Sequence, residues 1–157
     1  MINKRSASLD SFLICQTALR FCGFPLEHVV ETMRILPVEP FPEMPSFVSG
    51  LSIIRGAAVP VINLAMLLGV ATSLQTTRYV TVHLNQRLVA FAVESVIGVR
   101  SLDADSIKDL PPLLNNAEAG IVAAISTLDA ELLLVLNGSR FIHESAMDSL
   151  FAQEIHS

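Results

Sequence analysis

Apolar residues along this chain come in short runs cut off by glycine and proline, the rhythm of strands rather than of long helices. Phe12 to Ala18 and Arg20 to Phe24 read as two strands with a tight connection, ended by Gly23 and Pro25. Leu26 to Ile35 mixes one helical turn with the β-branched pair Val29 and Val30. Pro37, Pro40, Pro42 and Pro45 then put four prolines into nine residues, a stiff surface loop. Ser49 to Leu64 predicts two strands turning at Arg55-Gly56, the second carrying Val59, Val61 and Ile62, with Pro60 at an edge or a bulge. Asn63 is a good helix N-cap and Gly69 a good C′ residue, so Leu64 to Leu68 predicts a helix of little more than one turn, plugging one end of a barrel.

The second half repeats the pattern. Arg78 to Leu84 alternates, with Val80, Val82 and Leu84 on one face and Tyr79, Thr81 and His83 on the other; Asn85-Gln86 then turns the chain into Leu88 to Val93. Val96, Ile97 and Val99 continue as strand around Gly98, which points to a bulge. Leu102 to Asn116 is polar and proline-containing, hence loop. Ile121 to Ile125 and Leu132 to Leu136 are apolar on both faces, as central strands are, with Ser126 to Glu131 as their turn. From Ser139 the period changes, Ile142, Ala146 and Leu150 forming a stripe with Phe151 and Ile155 beside it, so a terminal amphipathic helix is expected over 139–157. The chain is therefore expected to be all-β, with nine or ten short strands in two groups.

The chain has 157 residues, 52% of them hydrophobic, enough for one domain and its core. Acidic residues outnumber basic ones 15 to 10 without any charge run, which argues against nucleic-acid binding. The stretch from Gly56 to Thr77 carries no charge, but Pro60, Asn63, Gly69 and a polar tail interrupt it, so no membrane insertion is expected. Cys15 and Cys22 follow a polar first ten residues, which suits a reducing, cytoplasmic setting. Their spacing, with no paired histidines, reads as two thiols packed in a hairpin rather than as zinc ligands.

Catalytic patterns are missing. Ser49-Gly50-Leu51-Ser52 lacks the glycines of a nucleophile elbow, the four histidines are scattered, and neither Lys4 nor Lys108 follows a glycine as a phosphate-binding loop requires. No catalytic residue, metal or cofactor is expected. An enzyme assembled from loops, with Asp103, Asp105 and Asp109 among its groups, stays as an alternative, since sequence hides residues that converge from afar. A second alternative is a small-ligand-binding β domain whose pocket lies at the seam between two barrels.

At Gly50 to Leu64 the residues GLSIIRGAAVPVINL resemble the signature of the CheW family, Gly-x-Ile-x-Leu-Arg-Gly followed by Pro-Val-Ile-Asp-Leu. Val29-Val30-Glu31 is similar to that family's Val-x-Glu segment, Met44-Pro45 with Phe47-Val48 to its approach to the signature, and Val93-Glu94-Ser95-Val96 to its Val-Asp-Ser-Val strand. Leu110-Pro111-Pro112, Gly120-Ile121 and Leu132 to Asn137 extend the likeness over residues 11–142. Asn63, Glu94 and Asn137 stand where the family usually has Asp. The resemblance implies two five-stranded SH3-like β-barrel subdomains sharing an apolar seam, roughly 11–75 and 76–138 with strands free to cross over, after a flexible 1–10. It also implies a non-enzymatic adaptor that binds the cytoplasmic tip of a chemoreceptor and the regulatory domain of a CheA-type histidine kinase, in a flagellar, pilus or other pathway. Glu31 and Arg55 carry over together as an ion pair beside the receptor groove, with Gly56 in the turn. Arg55 to Val59 comes near the kinase contact. Val29, Ile53 and Ile54 are candidates for apolar partner contacts and equally for core.

Overall fold

The structure is a computed structural model and describes residues 9–17, 20–69, 75–110 and 121–136. In chain order these form β1 (Leu9–Thr17), β2 (Arg20–Pro25), a 3-10 turn (Leu26–His28), β3 (Val29–Arg34), β4 (Val48–Ile54), β5 (Ala57–Asn63), and the short helix α1 (Leu64–Leu67). Then follow β6 (Arg78–Leu84), β7 (Arg87–Val93), β8 (Ser95–Asp103), a second 3-10 turn (Ala104–Ser106), β9 (Lys108–Asp109), β10 (Val122–Leu128) and β11 (Glu131–Leu136). The expected terminal helix lies outside the described residues.

Two sheets result: a six-stranded one in the order β8-β1-β2-β11-β10-β9, and a five-stranded one in the order β3-β6-β7-β5-β4. The five-stranded sheet is built from the unbroken stretch β3 to β7, whereas β1 and β2 leave it to pair with β8 and β11. The chain thus passes from one sheet to the other near residues 28 and 94. Among the described residues neither sheet closes: β8 and β9 end one, β3 and β4 the other. Where the resemblance implies two five-stranded barrels, the described residues form sheets of six and five strands whose closure is not seen among them.

Each sheet is apolar on both faces because it covers two cores. Leu13, Cys15, Cys22 and Phe24 of the first sheet meet Val80, Val82, Phe91 and Val93 of the second, with Leu64 and Leu67 of α1 closing one end. The rings of Phe24 and Phe91 lie tilted across this seam with centroids 5.2 Å apart. Behind it, Phe12, Ile14, Leu133 and Val135 form a core inside the first sheet, and Val59, Val61, Tyr79 and Ala90 one inside the second. That is why β7 reads as an unbroken apolar run: Val89, Phe91 and Val93 face the seam, Ala90 and Ala92 the inner core.

Turn chemistry fixes the registers. Arg55-Gly56, Asn85-Gln86 and Asp129-Ala130 all have positive φ at both residues, the backbone of two-residue hairpins whose twist matches their strands. The last of these corrects the expected turn at Ser126 to Glu131, since β10 runs on to Leu128 and only Asp129 and Ala130 turn. Likewise the stretch from Leu102, expected to be all loop, continues β8 to Asp103 and then adds a 3-10 turn capped by the Asp103 carboxylate and the two residues of β9. Gly98 does mark a bulge: Ile14 pairs with Gly98 but Cys15 with Val96. Asn63 caps α1, its Oδ1 accepting from the Met66 N–H at 3.1 Å, and Gly69 follows the helix with φ 89°.

Pro60 is not at a sheet edge, because β5 lies between β7 and β4. Its partner Leu51 exchanges both backbone hydrogen bonds with Glu39, at 2.8 and 2.9 Å, so Leu51 and Pro60 face each other as a non-hydrogen-bonded pair. The donor that proline lacks would point toward β7, where pairing starts only at Val61. The same strap holds the proline loop down. Ser52 Oγ donates to the Pro37 carbonyl at 2.8 Å, and the buried Tyr79 hydroxyl reaches the Leu36 carbonyl at 3.1 Å.

Gly50 is where the strap comes closest. Its φ is 142°, and a Cβ there would meet the Glu39 carbonyl oxygen at 2.1 Å. Gly50→Ala should therefore destabilise the protein by about 3 kcal/mol, a strained backbone plus a clash with backbone that cannot swing away; a urea midpoint equal to the parent's would contradict this. Cys15 and Cys22 face each other across β1 and β2 and are fully buried. Burial pushes each thiol up to about 12, the neighbouring Cys22 adding to the effect at Cys15 and Arg20 opposing it at Cys22. Iodoacetamide in mildly alkaline buffer should leave both unmodified in the folded protein and alkylate both in denaturant, as read by intact mass.

Candidate functional site

The β4–β5 turn projects Arg55 into solvent. Arg55 has φ 51°, a left-handed conformation that Asn or Gly adopts more cheaply, while Gly56 beside it has φ 83° and open space where a Cβ would be. The guanidinium reaches across to β3. Nε donates to Glu31 Oε2 at 2.8 Å and Nη2 to Glu31 Oε1 at 2.7 Å, a bidentate fork-to-fork pair. The Arg55 side chain is 77% exposed and that of Glu31 25%.

Glu31 reaches this position because β3 is bulged. Val29 pairs with Val82 and Glu31 with Thr81, neighbours on β6, so Val30 is the extra residue. Paired residues share a face and adjacent ones do not; the bulge thus turns Val29 toward the shared seam and Glu31 to the opposite face, where Met33 joins the inner core. Strict alternation would have put Val29 and Glu31 on the same side.

The two charges support each other. The hydrogen bond from Arg55, with its charge, holds the Glu31 carboxyl below the ordinary carboxylate value against a smaller opposing effect of desolvation, and Glu31 raises Arg55 in return. β3 and β4, the open edges of the five-stranded sheet, are tied at this point by one side-chain pair rather than by a ladder.

The structure sorts the apolar candidates. Ile53, two residues before Arg55, is 63% exposed. Val29 is half-buried against the seam. Ile54 is 3% exposed and belongs to the inner core, so it is packing and not docking surface. Val30, 46% exposed beside Glu31, is the residue that sequence reasoning passed over. Two consecutive β-branched residues before an acid are compatible with a plain strand, and the bulge that expels Val30 left no glycine to mark it.

Among the described residues the seam between the sheets is packed with buried apolar side chains, Leu13, Phe24, Val80 and Phe91 among them. A groove of about 700 Å³ opens instead at the end of the six-stranded sheet, between Phe12, Pro25, Leu26, Ile107 and Val135, with Asp10 and Glu27 on its rim. Among the described residues no three His, Cys, Asp or Glu gather as metal ligands, and no helix is long and apolar enough to cross a membrane. The Asp103 carboxylate accepts from the Asp105 N–H at 3.0 Å and caps its own turn, the structural role that its loop position allows.

A two-sheet, mostly β domain with a charged lip is the class of protein these features define. Residues 11–146 match the family described as CheW-like domain, and the chain belongs to that family. It is 31% identical over 140 residues to a chemotaxis protein CheW of Thermotoga maritima, covering 85% of this chain and 86% of that one. It is also 31% identical over 118 residues to the protein FrzA of Myxococcus xanthus, covering 71% and 73%. In fold it is similar to the scaffolding protein TtCheW of Thermoanaerobacter tengcongensis, with a TM-score of 0.78 at 20% identity over 88% of this chain and 96% of that one.

A carboxyl whose folded value is depressed adds stability that is complete above its unfolded value, here the ordinary 4.5, and that fades as the pH falls through the lower folded value. Arg55→Gln should therefore be less stable than the parent at neutral pH, the gap narrowing only below the ordinary carboxylate range. Denaturation midpoints of both proteins across the acid range check this; a gap independent of pH would show that the charge of Glu31 contributes nothing.

Proposed function

We propose that this chain is a chemotaxis coupling adaptor, a non-catalytic cytoplasmic scaffold that joins the tip of a chemoreceptor to the regulatory domain of a CheA-type histidine kinase. In this reading the lip formed by Glu31 and Arg55 orients the receptor tip, and Ile53 and Val30 supply apolar contact beside it. Val29 backs the lip from the seam, and Gly56 lets the turn approach a partner without a side chain in the way. The turn and strand from Arg55 to Val59 also come near the kinase contact.

The observation that carries the reading is an arginine kept in a left-handed turn position and held by a bidentate carboxylate at the surface. A turn built only for stability would use Asn-Gly there, and strain retained at an exposed charged residue is a pointer to function. Ile53 strengthens it, because a large aliphatic side chain exposed two residues from a rigid charge pair offers a partner both affinity and register.

Arg55→Glu should weaken binding to a receptor-tip peptide by tenfold or more, on the order seen when a charge at an interface is reversed, while circular dichroism keeps the signature of the folded protein at the assay temperature. Ile53→Asp should weaken the same interaction. Titration calorimetry with each variant measures both, and parent-like affinity for Arg55→Glu would refute the placement of the receptor site.

A further inference from the structure

We propose that Thr81 is the positioning residue of the Glu31–Arg55 pair: by closing the bulge at Val30 its hydroxyl determines on which face of β3 the Glu31 carboxylate stands. Thr81 is fully buried. Its Oγ1 accepts from the Glu31 N–H at 3.2 Å and donates to the Glu31 carbonyl at 3.1 Å, so one side chain serves both backbone groups of the residue that follows the bulge.

The alternative arrangement is a β3 that pairs with β6 without an extra residue. That register would send Glu31 to the same face as Val29, toward the apolar seam, where an ionised carboxylate has no partner. A hydroxyl at position 81 stabilises the bulged register specifically, because only there do the N–H and carbonyl of Glu31 both come within its reach. A valine of the same shape fills the same space but leaves those two groups without the contact. The strand then slips or frays, and in both cases the carboxylate leaves Arg55.

The relevance to receptor docking rests on the adaptor reading; the positioning does not. The test is an NMR titration of the Glu31 carboxyl carbon, with the Arg55 Nε–H signal as a second probe, in the full-length parent, Thr81→Val and Thr81→Ser. In the parent Glu31 titrates below the ordinary carboxylate range. Thr81→Val is expected to move it up into that range and to return the Arg55 signal to that of a free guanidinium, while Thr81→Ser, which keeps the hydroxyl, retains both parent values. A Thr81→Val protein that titrates like the parent overturns the proposal.

Should that variant not fold, hydrogen exchange in the parent decides: protection of the Glu31 amide supports the proposal, and exchange at the rate of an unstructured amide overturns it. Receptor-tip binding separates the two claims. A shifted titration in Thr81→Val with undiminished binding upholds the positioning and sinks the docking site. Weak binding by Arg55→Glu beside an unshifted Thr81→Val does the reverse.

Discussion

Phe24 and Phe91, tilted against each other in the middle of the molecule, mark the layer in which the two sheets take each other out of water. Neither sheet could stand without it, because each has an apolar seam face as well as an apolar inner face. The chain order enforces the same dependence. β1 and β2 come first but pair with β8 and β11, so the six-stranded sheet is completed only after the whole five-stranded one has been laid down. Burial of this kind is non-directional and large, which leaves the finer devices, bulges and straps and ion pairs, free to set geometry instead of stability.

The candidate site uses that freedom. β3 and β4 are the sheet edges that a closed barrel would have joined, and unpaired edges are usually a liability. Here one is covered by the proline loop, through the Glu39–Leu51 backbone pair and the buried Ser52 and Tyr79 hydroxyls. The other is bridged at Glu31 by Arg55. What remains open between them is a lip with a fixed charge pair and two exposed aliphatic side chains, Val30 and Ile53. In the proposed docking, charges that sit at the surface contribute orientation more than affinity.

Much of this was legible from residue order. The Arg55-Gly56 and Asn85-Gln86 turns, the Asn63 cap, the Gly98 bulge and the strict alternation of β6 are local features, written in turn residues and in a period of two. The pairing of Glu31 with Arg55 was legible only through family resemblance, since 24 positions separate them and no local rule joins them. Two kinds of feature were not legible. Hydroxyl residues suit a turn and a strand alike, as Ser126 and Thr127 do, so β10 is longer than its composition suggested. Registers fixed by a distant side chain, such as the β3 bulge gripped by Thr81, leave no mark in the segment they control, and the exposure of Val30 accordingly could not be read from β3 itself.

The departures from the family's usual aspartates gain meaning from the same geometry. At position 63 the backbone needs an acceptor for the Met66 N–H, and the Asn63 amide oxygen supplies it without a charge. At position 94 the main chain does the structural work: the Glu94 N–H donates to the Gln16 carbonyl at 3.1 Å and the Glu94 carbonyl accepts from Thr77 Oγ1, stitching β1 and the approach to β6 together at the strand junction. Neither role needs an aspartate. Replacing Asp by Asn at 63 and lengthening it to Glu at 94 therefore changes charge and reach while leaving the frame intact. The groups that hold the two sheets together in this chain are apolar or main-chain, so side chains at positions such as 63 and 94 can change charge and reach without disturbing them.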